Sequence, residues 1–191
     1  MKIGSVQPLS LSDFPPYTAA IIFTIGCNLR CSYCHNKNLW GDNFHPIDPQ
    51  EALTFLDGRK KLLDGVVITG GEPTIQKQLI PFTQKIKNLG YKIKLNTNGV
   101  NPKCLEELLN KKLLDYIAMD IKGPFDLYEQ LCGVAVLPED IKKSIDLISG
   151  SGLPHEFRTV FDKTLLKEAD IATIKAILPK NSTYIITQLN F

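Results

Sequence analysis

The sequence predicts an α/β protein, an open (β/α)6 partial barrel built on a parallel sheet and formed by a single domain over residues 1–191. Three observations lead there. Short apolar or β-branched runs recur near residues 19–25, 65–70, 91–97, 115–121, 156–161 and 183–189, and helical patterns fill most of the gaps. Polar motifs follow the first four runs, at the end where ligands gather in parallel strand–helix folds. The chain is long enough to bury one sizeable core, and its composition does not require two domains.

Each element has a local reason. Ala20-Ile21-Ile22-Phe23-Thr24 is strand-like and runs into a cysteine-rich loop. Asp48-Pro49-Gln50-Glu51 offers an N-cap, a proline in the first turn and an early acidic residue, and Ala52, Leu53, Phe55, Leu56 and Leu62 form the apolar set of a helix over 49–62. Gly65-Val66-Val67-Ile68-Thr69 is apolar almost throughout, as expected of a strand covered on both faces. Ile75, Leu79, Ile80, Phe82, Thr83, Ile86 and Leu89 keep near-helical spacing over 75–89, with Pro81 early in the run and Gly90 as the stop. Asn101-Pro102 opens a helix carrying Leu105, Leu108 and Leu109. Pro138-Glu139-Asp140 opens another, carrying Ile141, Ile145 and Ile148 as far as Gly150. The last helix, about 167–177, leads through Pro179 into Tyr184-Ile185-Ile186-Thr187-Gln188-Leu189.

Composition excludes several classes. Lys and Arg number 22 against 20 Asp and Glu with no long basic block, so no nucleic-acid partner is expected. The amino terminus lacks a secretory pattern, and no apolar run approaches the roughly 18 residues that span a bilayer, so no membrane association is expected and the cytoplasm is the expected location. Five cysteines is an odd count that fits free thiols or cluster ligands in a reducing compartment better than a disulfide framework. Cys104 and Cys132, distant from the other three, are expected to be ordinary apolar-environment cysteines. His45 and His155 are expected to be surface or structural, and Trp40 to be core or partner surface.

Cys27, Cys31 and Cys34 are the most informative residues. A structural zinc site takes four ligands, and His35, directly beside Cys34, is poorly spaced to be the fourth. Thiolates at this spacing can hold three irons of a cubane iron–sulfur cluster that normally takes four cysteines, which leaves one iron open to an exchangeable ligand. A closed electron-transfer cluster completed by Cys104 or Cys132 stays possible, but leaves the strand-end motifs unemployed. Those motifs are Gly70-Gly71-Glu72-Pro73, Asn96-Thr97-Asn98-Gly99 and Met119-Asp120-Ile121-Lys122-Gly123. Asp120 and Lys122 alternate with apolar neighbours and share one strand face, where two charges need each other or a ligand. Glu156-Phe157-Arg158 repeats that alternation one strand later.

Cys-x3-Cys-x-aromatic-Cys, here Cys27, Cys31, Tyr33 and Cys34, resembles the signature of the radical S-adenosylmethionine (SAM) enzymes, and the strand-end motifs resemble successive motifs of the glycyl-radical-enzyme activases. Ser10-Leu11-Ser12-Asp13-Phe14-Pro15 and Cys34-His35-Asn36 are most similar to the activating proteins of anaerobic ribonucleoside-triphosphate reductase. The resemblance implies a partial TIM-type barrel. It implies a [4Fe-4S] cluster on Cys27, Cys31 and Cys34, and SAM held by Tyr33, Asn36, Gly70, Gly71, Glu72, Asn96, Thr97, Asn98, Asp120, Lys122 and Arg158. It further implies no catalytic side chain beyond these cofactors, a glycyl radical enzyme as partner, and a low-potential electron donor such as flavodoxin or ferredoxin. Related activases often carry Asp where this chain has Asn96, so a cation-binding role for that carboxylate does not transfer. Read from the residues alone, Gly70-Gly71-Glu72-Pro73 and Asn96-Thr97-Asn98-Gly99 are also acceptable turns, Glu72 serves either ligand or local structure, and Arg158 either grips a ligand or sits at an exposed strand end. Two other functions share parts of these features: a small-molecule radical SAM enzyme, such as one forming a carboxylated deazaguanine, and an iron–sulfur electron-transfer or binding protein.

Overall fold

Residues 1–41 and 45–188 are described by the computed structural model. Their strands form one open sheet in the order β1 to β7. β2 (Ala19–Thr24), β3 (Gly65–Gly70), β4 (Lys92–Thr97), β5 (Tyr116–Asp120), β6 (His155–Phe161) and β7 (Thr183–Gln188) are parallel and match the six expected runs. Leu189, placed in the last run by the sequence reading, lies outside the described residues. The first strand, β1 (Ile3–Ser10), was not anticipated and pairs antiparallel with β2. It contains Gly4 and Pro8, buries only its ends, and shifts register twice, all features of an edge strand that leave little periodic signal.

Helix existence follows the sequence closely and helix ends less so. α1 (Pro49–Asp57) starts where expected, with the Asp48 carboxylate accepting from Gln50 N at 2.8 Å, but it stops at Gly58 instead of residue 62. Leu62 is consequently 64% exposed and not part of the core. α2 (Leu79–Asn88) begins later than expected because Pro73–Ile75 form a separate 3-10 turn. Pro81 then falls in the first turn of α2, where its missing amide leaves no helical bond unmade. α3 (Pro102–Asn110) is capped by Asn101, whose side chain accepts from Cys104 N at 3.3 Å. α5 (Pro138–Gly150) and α6 (Glu168–Ile177) agree with the sequence reading, whereas the five-residue α4 (Tyr128–Cys132) does not appear in it. No helix among the described residues is long and apolar enough to cross a membrane.

The sheet separates two environments. Its convex face carries Ile22, Val66, Ile68, Ile93, Leu95, Ile117, Met119 and Phe157 into the main core beneath the helices. The concave face is filled at its base by a smaller cluster of Phe14, Ala19, Ile21 and Val67, joined by Tyr17, Phe23 and Tyr116. Phe14 reaches this position from the Ser10-to-Pro15 segment, where the Ser10 hydroxyl donates to Asp13 Oδ2 at 2.5 Å and receives the amides of Ser12 and Asp13. Above that apolar base the concave face turns polar. Lys94 pairs in register with Tyr116, Ala118 with Glu156, and Asp120 with Arg158, so side chains on these strands line the same interior.

Candidate functional site

At the carboxyl end of the strands a cavity of about 260 Å³ is lined by every residue that the sequence singled out as a ligand. Cys27, Cys31, Tyr33, Cys34 and Asn36 come from the loop after β2; Gly70, Gly71 and Glu72 from the end of β3 and the turn after it; Asn96, Thr97 and Asn98 from the end of β4 and just beyond; Asp120 from the end of β5 and Lys122 just beyond; Arg158 from β6. His35, Trp40, Leu29, Thr69 and Val160 complete the wall. Among the described residues, no three His, Cys, Asp or Glu side chains converge closely enough to hold a single metal ion.

The loops of the site are fastened to one another through backbone and carboxylate contacts. Gly71 N donates to Thr24 O at 2.9 Å and Glu72 N to Gly26 O at 2.8 Å, which joins the end of β3 to the start of the cysteine loop. The approach is so close that a Cβ on Gly70 would overlap Thr24 N and one on Gly71 would overlap Gly26 O, and Gly70 adopts φ 118°. The two glycines are therefore required by protein packing before any ligand is considered.

Glu72 is 1% exposed, and its carboxylate turns away from solvent into four donors. Oε1 accepts from Thr74 N at 3.0 Å, Thr74 Oγ1 at 2.5 Å and Thr97 Oγ1 at 2.7 Å, while Oε2 accepts from Asn98 N at 2.7 Å. Burial pushes its carboxyl above the ordinary range, and these four donors oppose that push. Through these contacts Glu72 ties the β3 loop to the β4 loop while also lining the cavity. Asn98 extends the chain of contacts, donating from Nδ2 to Asn28 Oδ1 at 2.8 Å and accepting from Val100 N at 3.0 Å. Asn96 donates to Thr69 Oγ1 at 3.3 Å, while its Oδ1 is buried without a hydrogen-bond partner.

The charged wall is internally paired. Lys122 Nζ lies 3.1 Å from Asp120 Oδ2, and Arg158 places Nε and Nη2 3.0 Å from Asp120 Oδ1. Partial burial works against both charges of the first pair. Asp120 nevertheless pushes the Lys122 ammonium upward in pKa, and Lys122 with Arg158 holds Asp120 below the usual carboxylate range. Arg158 is thus held in the middle of β6 by Asp120, with Nη1 also 3.8 Å from Glu156, and does not project freely. Beneath it, Lys94 bonds Glu156 at 3.2 Å and stacks 4.7 Å over the Tyr116 ring, whose hydroxyl donates to Glu156 at 3.0 Å.

The cysteine loop is shaped by residues that the sequence reading passed over. Arg30 Nη1 donates to the carbonyls of Cys27 at 2.7 Å and Leu29 at 2.8 Å while its guanidinium lies 5.5 Å from the Trp40 ring centre. Leu29 N donates to Cys27 Sγ at 3.4 Å. Burial pushes the Cys27 thiol up to about 11, whereas the neighbouring Cys132 thiol draws Cys31 downward. Cys132 is fully buried, as expected, but it lies against the site and not apart from it. The signal for Arg30 and Asn28 was their position between the cysteines; Cys132, Lys94 and Tyr116 offered no sequence signal for their places around it. His155 is structural, its ring contacting Leu153 O at 2.8 Å and Ser182 Oγ at 2.9 Å.

The profile of the radical SAM superfamily matches residues 21–176. A proposed glycyl-radical enzyme activating enzyme of Methanocaldococcus jannaschii is 35% identical over 97% of this chain and 79% of its own length. A second proposed activating enzyme from the same organism is 31% identical over 84% of this chain, which spans 59% of that longer protein. Among solved structures, Streptococcus suis SuiB bound to its precursor peptide SuiA superposes with a TM-score of 0.71 at 19% identity, over 89% of this chain and 38% of SuiB. SuiB bound to S-adenosylmethionine gives 0.70 at 18% identity, over 87% of this chain and 39% of SuiB. These structures share the open barrel.

Proposed function

This chain belongs to the radical SAM superfamily, whose cofactors are a [4Fe-4S] cluster and SAM, and from that premise we propose that it is an activase that installs a glycyl radical on a partner enzyme, anaerobic ribonucleoside-triphosphate reductase. The observation that carries the reading is the meeting of three thiols with the ends of four further parallel strands around one cavity. The likeness to the Methanocaldococcus activating enzymes supports the reaction class. The Ser10-to-Pro15 segment, folded here as the plug of the barrel base, and the Cys34-His35-Asn36 join support the reductase as partner.

The residues fit the cofactors. Cys27, Cys31 and Cys34 supply three thiolates and leave one iron without a protein donor. Asn96 lines the cavity, donates to Thr69 and keeps a buried Oδ1 without a protein donor, and it is assigned here to the SAM side of the wall. Gly70 and Gly71 line the same space, Lys122 offers the cavity a cation, and Tyr33 with Asn36 forms the wall for the adenine. Glu72, Thr97, Asn98 and Arg158 serve by holding these groups in place. Once bound, the cofactors supply the difficult chemistry, reductive cleavage of the sulfonium to a 5′-deoxyadenosyl radical. The chain orients SAM, excludes water with Leu29, Val160 and Trp40, and admits a peptide carrying the target glycine at the open end of the barrel. It contributes no acid or base, since abstraction of a Cα hydrogen transfers no proton. A flavodoxin or ferredoxin is the fitting electron donor, and a reducing cytoplasm the fitting compartment for thiol-ligated iron.

The test is to combine the anaerobically reconstituted and reduced chain with SAM and the reductase and to record the EPR spectrum of the mixture. A doublet from the reductase, accompanied by one 5′-deoxyadenosine per radical, is expected. Release of 5′-deoxyadenosine without the doublet would remove this partner and turn attention to a small-molecule substrate, and no 5′-deoxyadenosine at all would remove the enzymatic reading.

A further inference from the structure

The activase reading leaves Lys94 without a task. It is 6% exposed, stands two residues before Asn96 on β4, and is not among the residues that line the cavity. A buried ammonium adds little to stability even when paired, since an apolar side chain of similar volume fills such a place at less cost. The position of Lys94 is nonetheless built. Nζ lies 3.2 Å from Glu156 Oε1 and 4.7 Å from the centre of the Tyr116 ring. The Tyr116 hydroxyl donates to Glu156 Oε2 at 3.0 Å, and its ring packs edge-on against Phe14 with centroids 5.9 Å apart. Arg158, two residues after Glu156 on β6, divides its guanidinium unevenly between two carboxylates. Nε and Nη2 lie 3.0 Å from Asp120 Oδ1, whereas Nη1 stops 3.8 Å from Glu156 Oε1, the same oxygen that Lys94 holds.

We propose that Lys94 is a positioning residue: by occupying Glu156 it keeps the Arg158 guanidinium on Asp120, at the wall of the cavity. The distances describe a competition. At 3.8 Å Arg158 and Glu156 attract as charges without a hydrogen bond, and a move of about 1 Å would make one. Lys94 opposes that move twice, because its ammonium offsets the charge of Glu156 and repels the guanidinium from the shared oxygen. The other oxygen already accepts from Tyr116. Without Lys94, Glu156 is an under-paired carboxylate with 12% of its side chain exposed, against 34% for Asp120. It then gains more from a guanidinium than the better solvated Asp120 does. Arg158 leaves the cavity wall for Glu156, and Asp120 keeps only Lys122, at 3.1 Å. The consequence for SAM rests on the reading of this cavity as the SAM site; the shift of Arg158 does not.

The experiment uses the full chain labelled with nitrogen-15 arginine. In the cluster-free protein the Arg158 Nε–H resonance, assigned by its loss in Arg158→Lys, is expected to move in Lys94→Met. It should return close to its wild-type place in Lys94→Met/Glu156→Gln, which removes the competing charge as well. After anaerobic reconstitution, calorimetry should show SAM binding about tenfold weaker in Lys94→Met, the loss of about one hydrogen bond. Binding should recover to within about threefold of wild type in the double variant, and Glu156→Gln alone, which keeps an oxygen for Lys94, should stay within the same range. A lysine that only fills space predicts a double variant at least as impaired as the single one. The inference is overturned if the Arg158 resonance stays fixed in Lys94→Met, or if the double variant binds SAM no better than Lys94→Met. Where Lys94→Met fails to fold, the double variant and Glu156→Gln decide: wild-type affinity in both sustains the inference, and a loss of about tenfold in either overturns it. A resonance that moves and returns in a chain whose wild type binds no SAM would sustain the positioning role and remove the reading of the cavity. Wild-type SAM binding with a fixed resonance would do the reverse.

Discussion

Replacing Glu72 by Gln tests whether this carboxylate is the clamp between the β3 and β4 loops. The substitution preserves shape but turns one oxygen into an amide donor. With the remaining oxygen on the Thr74 and Thr97 side, the new amide nitrogen faces Asn98 N, now 2.7 Å from an acceptor, and one charge-assisted bond becomes an opposed pair of donors. The reverse orientation is worse, because Thr74 N then has no acceptor and the two threonine hydroxyls must both turn. Losing one such bond inside a site that is 1% exposed is worth about 2–3 kcal/mol. For a chain of this size that lowers Tm by about 4–12 °C. Thermal unfolding of the cluster-free variant, followed by circular dichroism, measures it, and faster amide exchange at Asn98 should accompany the drop. A variant that melts with the wild type yet binds SAM weakly after reconstitution would refute the clamp and make Glu72 a ligand contact.

Asn96→Ala removes an acceptor that no protein donor uses, so SAM affinity of the reconstituted protein should weaken about tenfold in calorimetry while Tm moves little. Gly71→Ala places a methyl group on Gly26 O and should lower stability by more than about 2 kcal/mol in denaturant unfolding, with loss of iron loading. Asp115 is held below the usual carboxylate range: burial raises it, but Lys87 at 2.5 Å, Ile93 N at 2.8 Å and Lys92 at 3.3 Å outweigh burial. A depressed folded-state pKa gives stability that is present above the usual aspartate range and is lost as pH falls through and below it. Asp115→Asn should therefore flatten the acid limb of a plot of stability against pH, and an unchanged limb would show that this ion cluster contributes nothing there.

Much of the fold was legible because the first parallel strands, β2 and β3, are buried on both faces. Val66, Val67 and Ile68 leave no alternation to misread, and Asp48-Pro49 and Asn101-Pro102 announce helix starts chemically. β1 escaped because an edge strand needs few apolar residues, and α4 because five residues bounded by Leu127 and Gly133 carry no periodicity. The gathering of the motifs was legible from their place after successive strands. What each side chain does there was not, since that depends on contacts distant in sequence. Glu72 has the composition of a ligand but spends its oxygens on Thr74, Thr97 and Asn98. Arg158 is committed to Asp120 across the sheet, a pairing fixed only by strand register. Cys132 looks like any small buried hydrophobe until the fold sets it behind Cys31.

The central claim is that three thiolates leave one iron of the cluster for SAM. Mössbauer spectroscopy of the chain reconstituted with iron-57, recorded before and after SAM is added, addresses it directly. The expected spectrum resolves one iron of four as distinct and shifts that iron alone when SAM binds. Four irons that all remain unchanged on addition of SAM would contradict the account.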